Sequence, residues 1–290
     1  MANQRAAFNA EDIQAFFPAE KIGIVASVNP DGLPHITLIT SIRANNDTQL
    51  TLGEFCRGNS KAFIQKHPAA AFTVLTMDKR MWRGTARWTH MRKDGPEYQS
   101  YNDLPMFRYN AYFGINTVHY LDLVSVAGPM GLPIPRILLA TLMTRFSRGA
   151  LVTGNMDRIL RPFAENLFNQ LGTLKFLSYI GADGFPVLIP LLQCQAADSR
   201  RLVFAANAFK SELLQIPKGR TGAVFCLSMK MEDVLVRGTF NGFSTHRMVH
   251  TGTVDINWVY NSMPPAHGQI YPQKPLEPIT EWPDFPRKTA

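Results

Sequence analysis

"VASVNPDGLP", residues 25–34, returns as "LSYIGADGFP" at residues 177–186, with Asp31 and Asp183 lying 183 − 31 = 152 positions apart. The register holds beyond the quoted stretch, since Leu50 falls on Leu202 and Leu52 on Phe204. After a small deletion "SKAFIQKHP" meets "FKSELLQIP". Further on "WRGTA" (82–86) meets "VRGTF" (236–240), and "TVHYLDLVSVAGPM" from Thr117 is matched with "TVDINWVYNSMPPA" from Thr253. Matches that keep their order along both halves indicate duplication of one unit rather than chance similarity.

Each unit has the same local grammar. A β-rich run, Ile22 to Val28, meets the turn Asn29-Pro30-Asp31-Gly32, where proline suits the second turn position and glycine a positive φ. A second strand, "HITLITSI", a third, "QLTLG", and two more, "AAAFTVLTM" and "RMWRGTARW", follow, with one short helix after the third. Hairpin-length connections force antiparallel pairing, so the expectation is mainly β with inserted helices, each unit a small barrel. Between the units lie two apolar-striped segments. One carries Ile137, Leu138, Thr141, Leu142 and Phe146, the other Ile159, Leu160, Phe163, Leu167, Phe168 and Leu171. Stripes at this spacing are expected to pack on the barrels rather than on a membrane surface. Pro162 implies a kink or a later helix start, and the proline-rich tail from Met263 is expected to run extended. The organisation is then a first barrel over 1–130, a helical linker over 131–173, a second barrel over 174–262 and a tail over 263–290.

Composition narrows the function classes. The 290 residues are 46% hydrophobic with a formal charge of +8, but the basic residues are scattered, so nucleic acid is not expected as a partner. Three cysteines without paired spacing argue against a disulfide framework. No apolar run reaches the roughly 20 residues that span a bilayer, and a cytoplasmic location without a membrane partner is expected. His246 and His250 in "HRMVH" have a ligand-like spacing but read as a turn entering a strand, and no metal is expected.

"GNSKAFIQKHP", residues 58–68, places glycine, hydrogen-bonding residues and a lysine at the start of a short helix, where backbone N–H groups gather anions. With "PDGLPH", "LTLGEF" and "WRGTA" around it, this order of motifs resembles the pyridoxamine 5'-phosphate oxidase-like split-barrel flavoproteins. The resemblance covers residues 20–90 well and 174–245 more loosely. It implies two tandem six-stranded split β-barrels forming an intrachain pseudo-dimer, with FMN as cofactor. Carried onto this sequence, it puts Ser60 and Lys61 on the phosphate with Arg57 and Asn59 nearby, Thr40, Ser41 and Gly53 along the ring and ribityl chain, and Arg83 as a second cation.

The oxidase members' substrate-phosphate motifs are missing, so pyridoxamine phosphate oxidation is not expected. The second unit has "AANAFK" in place of "GEFCRGNSK", which implies one good site and one degenerate copy. Arg108, Tyr109, Tyr112, Trp258 and Tyr260 are candidate walls supplied by facing barrels, or else packing residues. The expected activity is an FMN-dependent oxidoreductase moving hydride between NAD(P)H and a small acceptor. A non-catalytic flavin or haem sensor and a deazaflavin-dependent reductase are the alternatives. No catalytic side chain is assigned, and whether the intrachain pair dimerises further stays open.

Overall fold

A computed structural model describes residues 4–54, 58–104, 114–154, 157–261 and 268–273. The first copy comprises α1 (Ala10–Phe16), β1 (Lys21–Val28), β2 (Pro34–Leu38), β3 (Arg43–Ala44), β4 (Gln49–Glu54), α2 (Asn59–Lys66), β5 (Ala69–Thr76), β6 (Arg80–Arg92), α3 (Pro96–Asn102) and β7 (Thr117–Gly131). Helices α4 (Ile134–Arg148) and α5 (Pro162–Asn169) follow. The second copy comprises β8 (Leu174–Ile180), β9 (Pro186–Pro190), β10 (Gln195–Ala196), β11 (Arg201–Ala205), α6 (Lys210–Leu213), β12 (Thr221–Leu227), β13 (Asp233–His246) and β14 (Val249–Asn261), with β15 (Gly268–Tyr271) added at β14.

Strand order is the one a duplication requires. The first sheet runs β2-β1-β5-β6-β7-β4-β3 and the second β9-β8-β12-β13-β14-β11-β10, the same path with each strand replaced by its counterpart. Hydrogen bonds repeat at the same offset of 152. Asn29 N donates to Leu33 O and Gly181 N to Phe185 O, and Ile39 N donates to Gly23 O as Leu191 N does to Lys175 O. Gly32 and Gly184 both take the positive φ, 74° and 80°, that their turns demand. Each copy is thus a split barrel of six main strands and one two-residue strand.

The motif matches from the later strands need correction. Against β4, Leu50 pairs with Leu121, and against β11, Leu202 pairs with Val254, so Leu121 and Val254 are counterparts. Thr117 therefore corresponds to His250, not Thr253. The β6–β7 ladder skips Val124 between Thr85/Ser125 and Ala86/Leu123, and the β13–β14 ladder skips Asn257 between Arg237/Trp258 and Gly238/Ile256. This shared β-bulge makes Thr85, not Arg83, the structural counterpart of Arg237.

Side-chain alternation explains how the copies join. Along β12, Val224 and Cys226 enter the second barrel's own core, while Ala223, Phe225 and Leu227 enter a third core together with Ile24, Ala26, Ile36 and Ala71 of the first copy. Phe176 and Leu188 complete that shared core, and Val25 and Phe72 turn the other way into the first barrel. Strands buried on both faces read as continuous apolar runs, which is why "IGIVASV" shows little alternation.

Helix α5 starts at Pro162 and buries Leu167 and Phe168. Helix α4 departs from expectation. It buries Ile137, Ala140, Thr144 and Ser147, and leaves Leu138, Leu142 and Phe146 exposed. The cause is hydrogen bonding at the end of β11. Thr144 Oγ1 accepts from Ala205 N at 2.8 Å and Thr251 Oγ1 donates to Ser147 Oγ at 3.2 Å, so the small polar stripe faces the barrel. Of the proline-rich tail, Gly268–Tyr271 runs extended as an edge strand, and most of the remainder lies outside the described residues.

Truncating the shared core should unfold both copies together. Phe225→Ala is expected to cost about 3–5 kcal/mol, read as a lower midpoint of one urea transition. Two separate transitions in the unsubstituted protein would show that the copies do not lean on each other.

Candidate functional site

The two copies meet along a cleft of about 650 Å³. The first copy contributes the Asn29–Leu33 turn and, from α2, Asn59 and Phe63. The second contributes Arg237, Asn257, Trp258 and Tyr260. The bulge sets Asn257 and Trp258 into position, while alternation along β14 puts Trp258 and Tyr260 on one face. Their rings stand parallel, 5.6 Å between centroids and 2° between planes. Asn59 Nδ2 donates to Tyr260 Oη at 3.3 Å, tying the start of α2 to the opposing copy.

Arg237 is the centre of this wall. Its guanidinium carbon sits 3.7 Å from the Trp258 centroid, and the residue is only 8% exposed. Among the described residues, its Nε has no hydrogen-bond partner. Burial lowers the pKa of Arg237 and the negative charge of Asp31 opposes that, yet an arginine stays charged. A buried cation without a bonded anion is costly, so this position favours an anionic or electron-rich group in the cleft.

On the other side stands the start of α2. Its N-cap, Gly58, has extended backbone (φ −120°, ψ 153°), and no side chain among the described residues caps the helix. The first helical bond runs from Ala62 N to Gly58 O, so the N–H groups of Asn59, Ser60 and Lys61 precede it. A Cβ added at Gly58 would meet nothing within 4 Å, which leaves room for a ligand there. Ser60 and Lys61 are themselves buried, turned with Ile64 away from the Asn59 and Phe63 face that lines the cleft. The arrangement can hold a planar molecule against Trp258 and Tyr260 and an anionic group near a helix start.

Thr40, Ser41, Gly53 and Arg83 do not line the cleft. Thr40 and Ser41 form a turn after β2, which ends at Leu38 and not at the end of "HITLITSI". Ser41 Oγ donates to Gly53 O at 2.8 Å, and Tyr101 Oη donates to Ser41 O at 2.6 Å. A Cβ at Gly53 would press on Ile115 Cδ1 at 3.0 Å, so that glycine serves close packing. Arg83 crosses to the second copy. Its NH1 and NH2 donate to Glu212 Oε1 and Oε2 at 3.0 and 2.6 Å, and NH2 also donates to Leu188 O. Arg57, Arg108, Tyr109 and Tyr112 lie outside the described residues.

Pseudo-symmetry explains why only one mouth is furnished this way. By register, Arg237, Asn257, Trp258 and Tyr260 correspond in the first copy to Thr85, Val124, Ser125 and Ala127. Thr85 and Ser125 bond each other across 2.9 Å, and Glu212, on the four-residue α6 that replaces α2, is held by Arg83. Arg87 lies 5.1 Å from the Phe185 ring centroid at the same junction. Arg237 and Asn257 are the residues that motif reading missed. The signal was present in "VRGTF" and "NWVYN", but it needed the knowledge that the second copy's wall faces the first copy's helix.

In class, the molecule is a tandem pair of split β-barrels. No family model matches the sequence and no curated protein does either. Solved structures similar to it include an FMN-binding protein from Syntrophomonas wolfei subsp. wolfei (14% identity, TM-score 0.34, covering 40% of this chain and 82% of that one). HupZ of Group A Streptococcus (16%, 0.35, 43% and 96%) and an F420 reductase (16%, 0.34, 41% and 98%) are others. Each likeness spans about two fifths of this chain.

His35 adds a pH signature to the cleft. Its ring packs edge-on to Phe63 and Tyr260, and burial, helped by the charge of Arg237, lowers its pKa from 6.5 to about 4. The unfolded chain therefore takes up the proton first as pH falls. The stability held by neutral His35 is full above pH 6.5 and is lost on descent towards pH 4. The loss amounts to about 3 kcal/mol. Urea midpoints across that window should show it, and His35→Phe should flatten the slope.

Proposed function

We propose that this chain binds one FMN in the cleft between α2 and the β13–β14 wall, and that it is an oxidoreductase passing hydride from NAD(P)H to a small acceptor. The observation that carries this reading is Arg237. It is a buried guanidinium lying on Trp258 with an unused donor, facing across about 650 Å³ a helix start that no side chain among the described residues caps. Such a volume suits a cofactor of this size. The resemblance of the motif order to FMN-binding split barrels points the same way.

In this reading the backbone N–H groups of Asn59, Ser60 and Lys61 at the start of α2, with the Asn59 side chain and Arg57 just before it in sequence, hold the phosphate. Trp258 and Tyr260 take the plane of the ring, and Arg237 and Asn257 its polar edge. The flavin itself supplies the capacity to accept and release hydride. The protein's contribution is orientation, exclusion of water by Phe63, Trp258 and Tyr260, and a permanent positive charge that favours electron-rich states of whatever lies beside it. Ser41 and Gly53 bond each other within the first barrel, with Thr40 in the same turn as Ser41, and Arg83 is tied to Glu212 at the other junction of the two copies. No side chain is required as a proton donor or acceptor.

The purified protein, reconstituted with FMN, is expected to be yellow with one flavin per chain and to bleach under NADH or NADPH. Arg237→Ala should weaken flavin binding at least about tenfold, the worth of a charge-assisted contact, while Lys210→Ala on α6 leaves it unchanged. A colourless protein after reconstitution overturns the assignment. A yellow protein that no nicotinamide bleaches keeps the binding and removes the turnover.

A further inference from the structure

The outward face of α4 is built like the face of a helix that lies on lipid. Leu138, Leu139, Leu142 and Phe146 are 57, 54, 65 and 56% exposed. At about 100° per residue they fall within one arc of roughly 100°, with Arg145 at one edge and Arg136 at the other. Arg247, from the β13–β14 turn, reaches over Phe146, its guanidinium carbon 5.7 Å from the ring centroid. Helix α4 contains no aspartate or glutamate. Beside Leu138 lies a small apolar hollow of about 200 Å³, whose rim includes Leu171 at 69% exposure.

We propose that α4 docks this chain on an anionic lipid surface, apolar side down, with Arg136, Arg145 and Arg247 on the head groups. Charge selects the occupant. A second copy brought face to face would set arginines against arginines, whereas anionic lipid neutralises all three. Area points the same way. Four half-exposed side chains offer a few hundred Å², short of the roughly 800 Å² per partner of a standard protein interface, while peripheral lipid binding needs only a modest apolar face aided by basic residues. The helix lies on the surface rather than across it, since no helix among the described residues is long and apolar enough to span a bilayer. The hydrogen bonds that turn the polar stripe of α4 inward onto β11 and β14 are what leave this apolar arc facing outward.

Co-sedimentation with vesicles tests the proposal on the full chain. With phosphatidylcholine vesicles containing about a third phosphatidylglycerol, the protein is expected to pellet at about 0.1 M salt and to be released towards about 0.5 M. Pure phosphatidylcholine should retain little. Leu142→Ser with Phe146→Ser should reduce partitioning at least about tenfold, and Arg136→Gln with Arg145→Gln several-fold, both with the urea midpoint unchanged because these side chains stand in solvent. Wild-type protein left in the supernatant, or variants that pellet as well as wild type, overturns it. So does a dimer in light scattering that the Leu142→Ser, Phe146→Ser variant splits, which would make a second copy the occupant.

Discussion

The structure depends on a core that neither barrel owns. Phe176, Leu188 and Phe225 of the second copy close on Ile24, Ile36 and Ala71 of the first, and the strands that carry them bury both faces. At roughly 25 cal/mol per Å² of apolar surface removed from water, such a contact is strong enough to fix the mutual orientation of the sheets. The candidate cleft lies at the margin of this contact. The α2 start belongs to one copy and the Arg237–Trp258–Tyr260 wall to the other, so their separation is set by apolar packing between sheets rather than by either barrel alone.

That packing is nearly two-fold, and the chemistry departs from it at a few positions. A bulge occurs at the same place in both copies, skipping Val124 in one and Asn257 in the other. The flanking residues differ entirely, with Thr85, Ser125 and Ala127 on one wall and Arg237, Trp258 and Tyr260 on the other. The mouth with the small wall is closed by the Arg83–Glu212 ion pair, while at the mouth with the large wall Arg237 lies on Trp258 with no ion-pair partner among the described residues. An identical backbone thus supports a latch at one end and a receptive cleft at the other, and the difference resides in side chains.

This also explains what could be read from the residues alone. The first four strands of each copy were legible because their turn demands proline or glycine at fixed places and their hydrogen bonds recur at one offset, as Asn29 and Gly181 show. Later strands were legible as strands but not in register, because the "RGT" repeat slides by two residues against the bulge. Asn59, Ser60 and Lys61 were legible as a helix start, since glycine and small polar residues ahead of an apolar turn signal one. Arg237 was not, because its importance arises from a neighbour more than 150 positions away in sequence. Arg83 misled for the complementary reason, since an arginine beside a glycine looks the same whether its partner is a ligand or Glu212. The face of α4 misled as well, because apolar spacing predicts which residues share a side but not whether that side turns inward.

Joining the two barrels in one chain makes this asymmetry attainable. Two identical chains meeting about a two-fold axis must present the same residues at both mouths, so a substitution that improves a cradle at one end alters the other end equally. A latch such as Arg83–Glu212 could not coexist with an open cleft in that arrangement. A covalent linker removes the constraint and holds the partner at high effective concentration, so the interface need not be strong enough to assemble two free chains. One wall can then carry Arg237, Trp258 and Tyr260 while the other carries an ion pair. Of the two helices between the barrels, α5 is the counterpart of α1 at the offset of 152, with Phe168 in the place of Phe16, whereas α4 has no counterpart among the described residues, and the surface without a counterpart lies there.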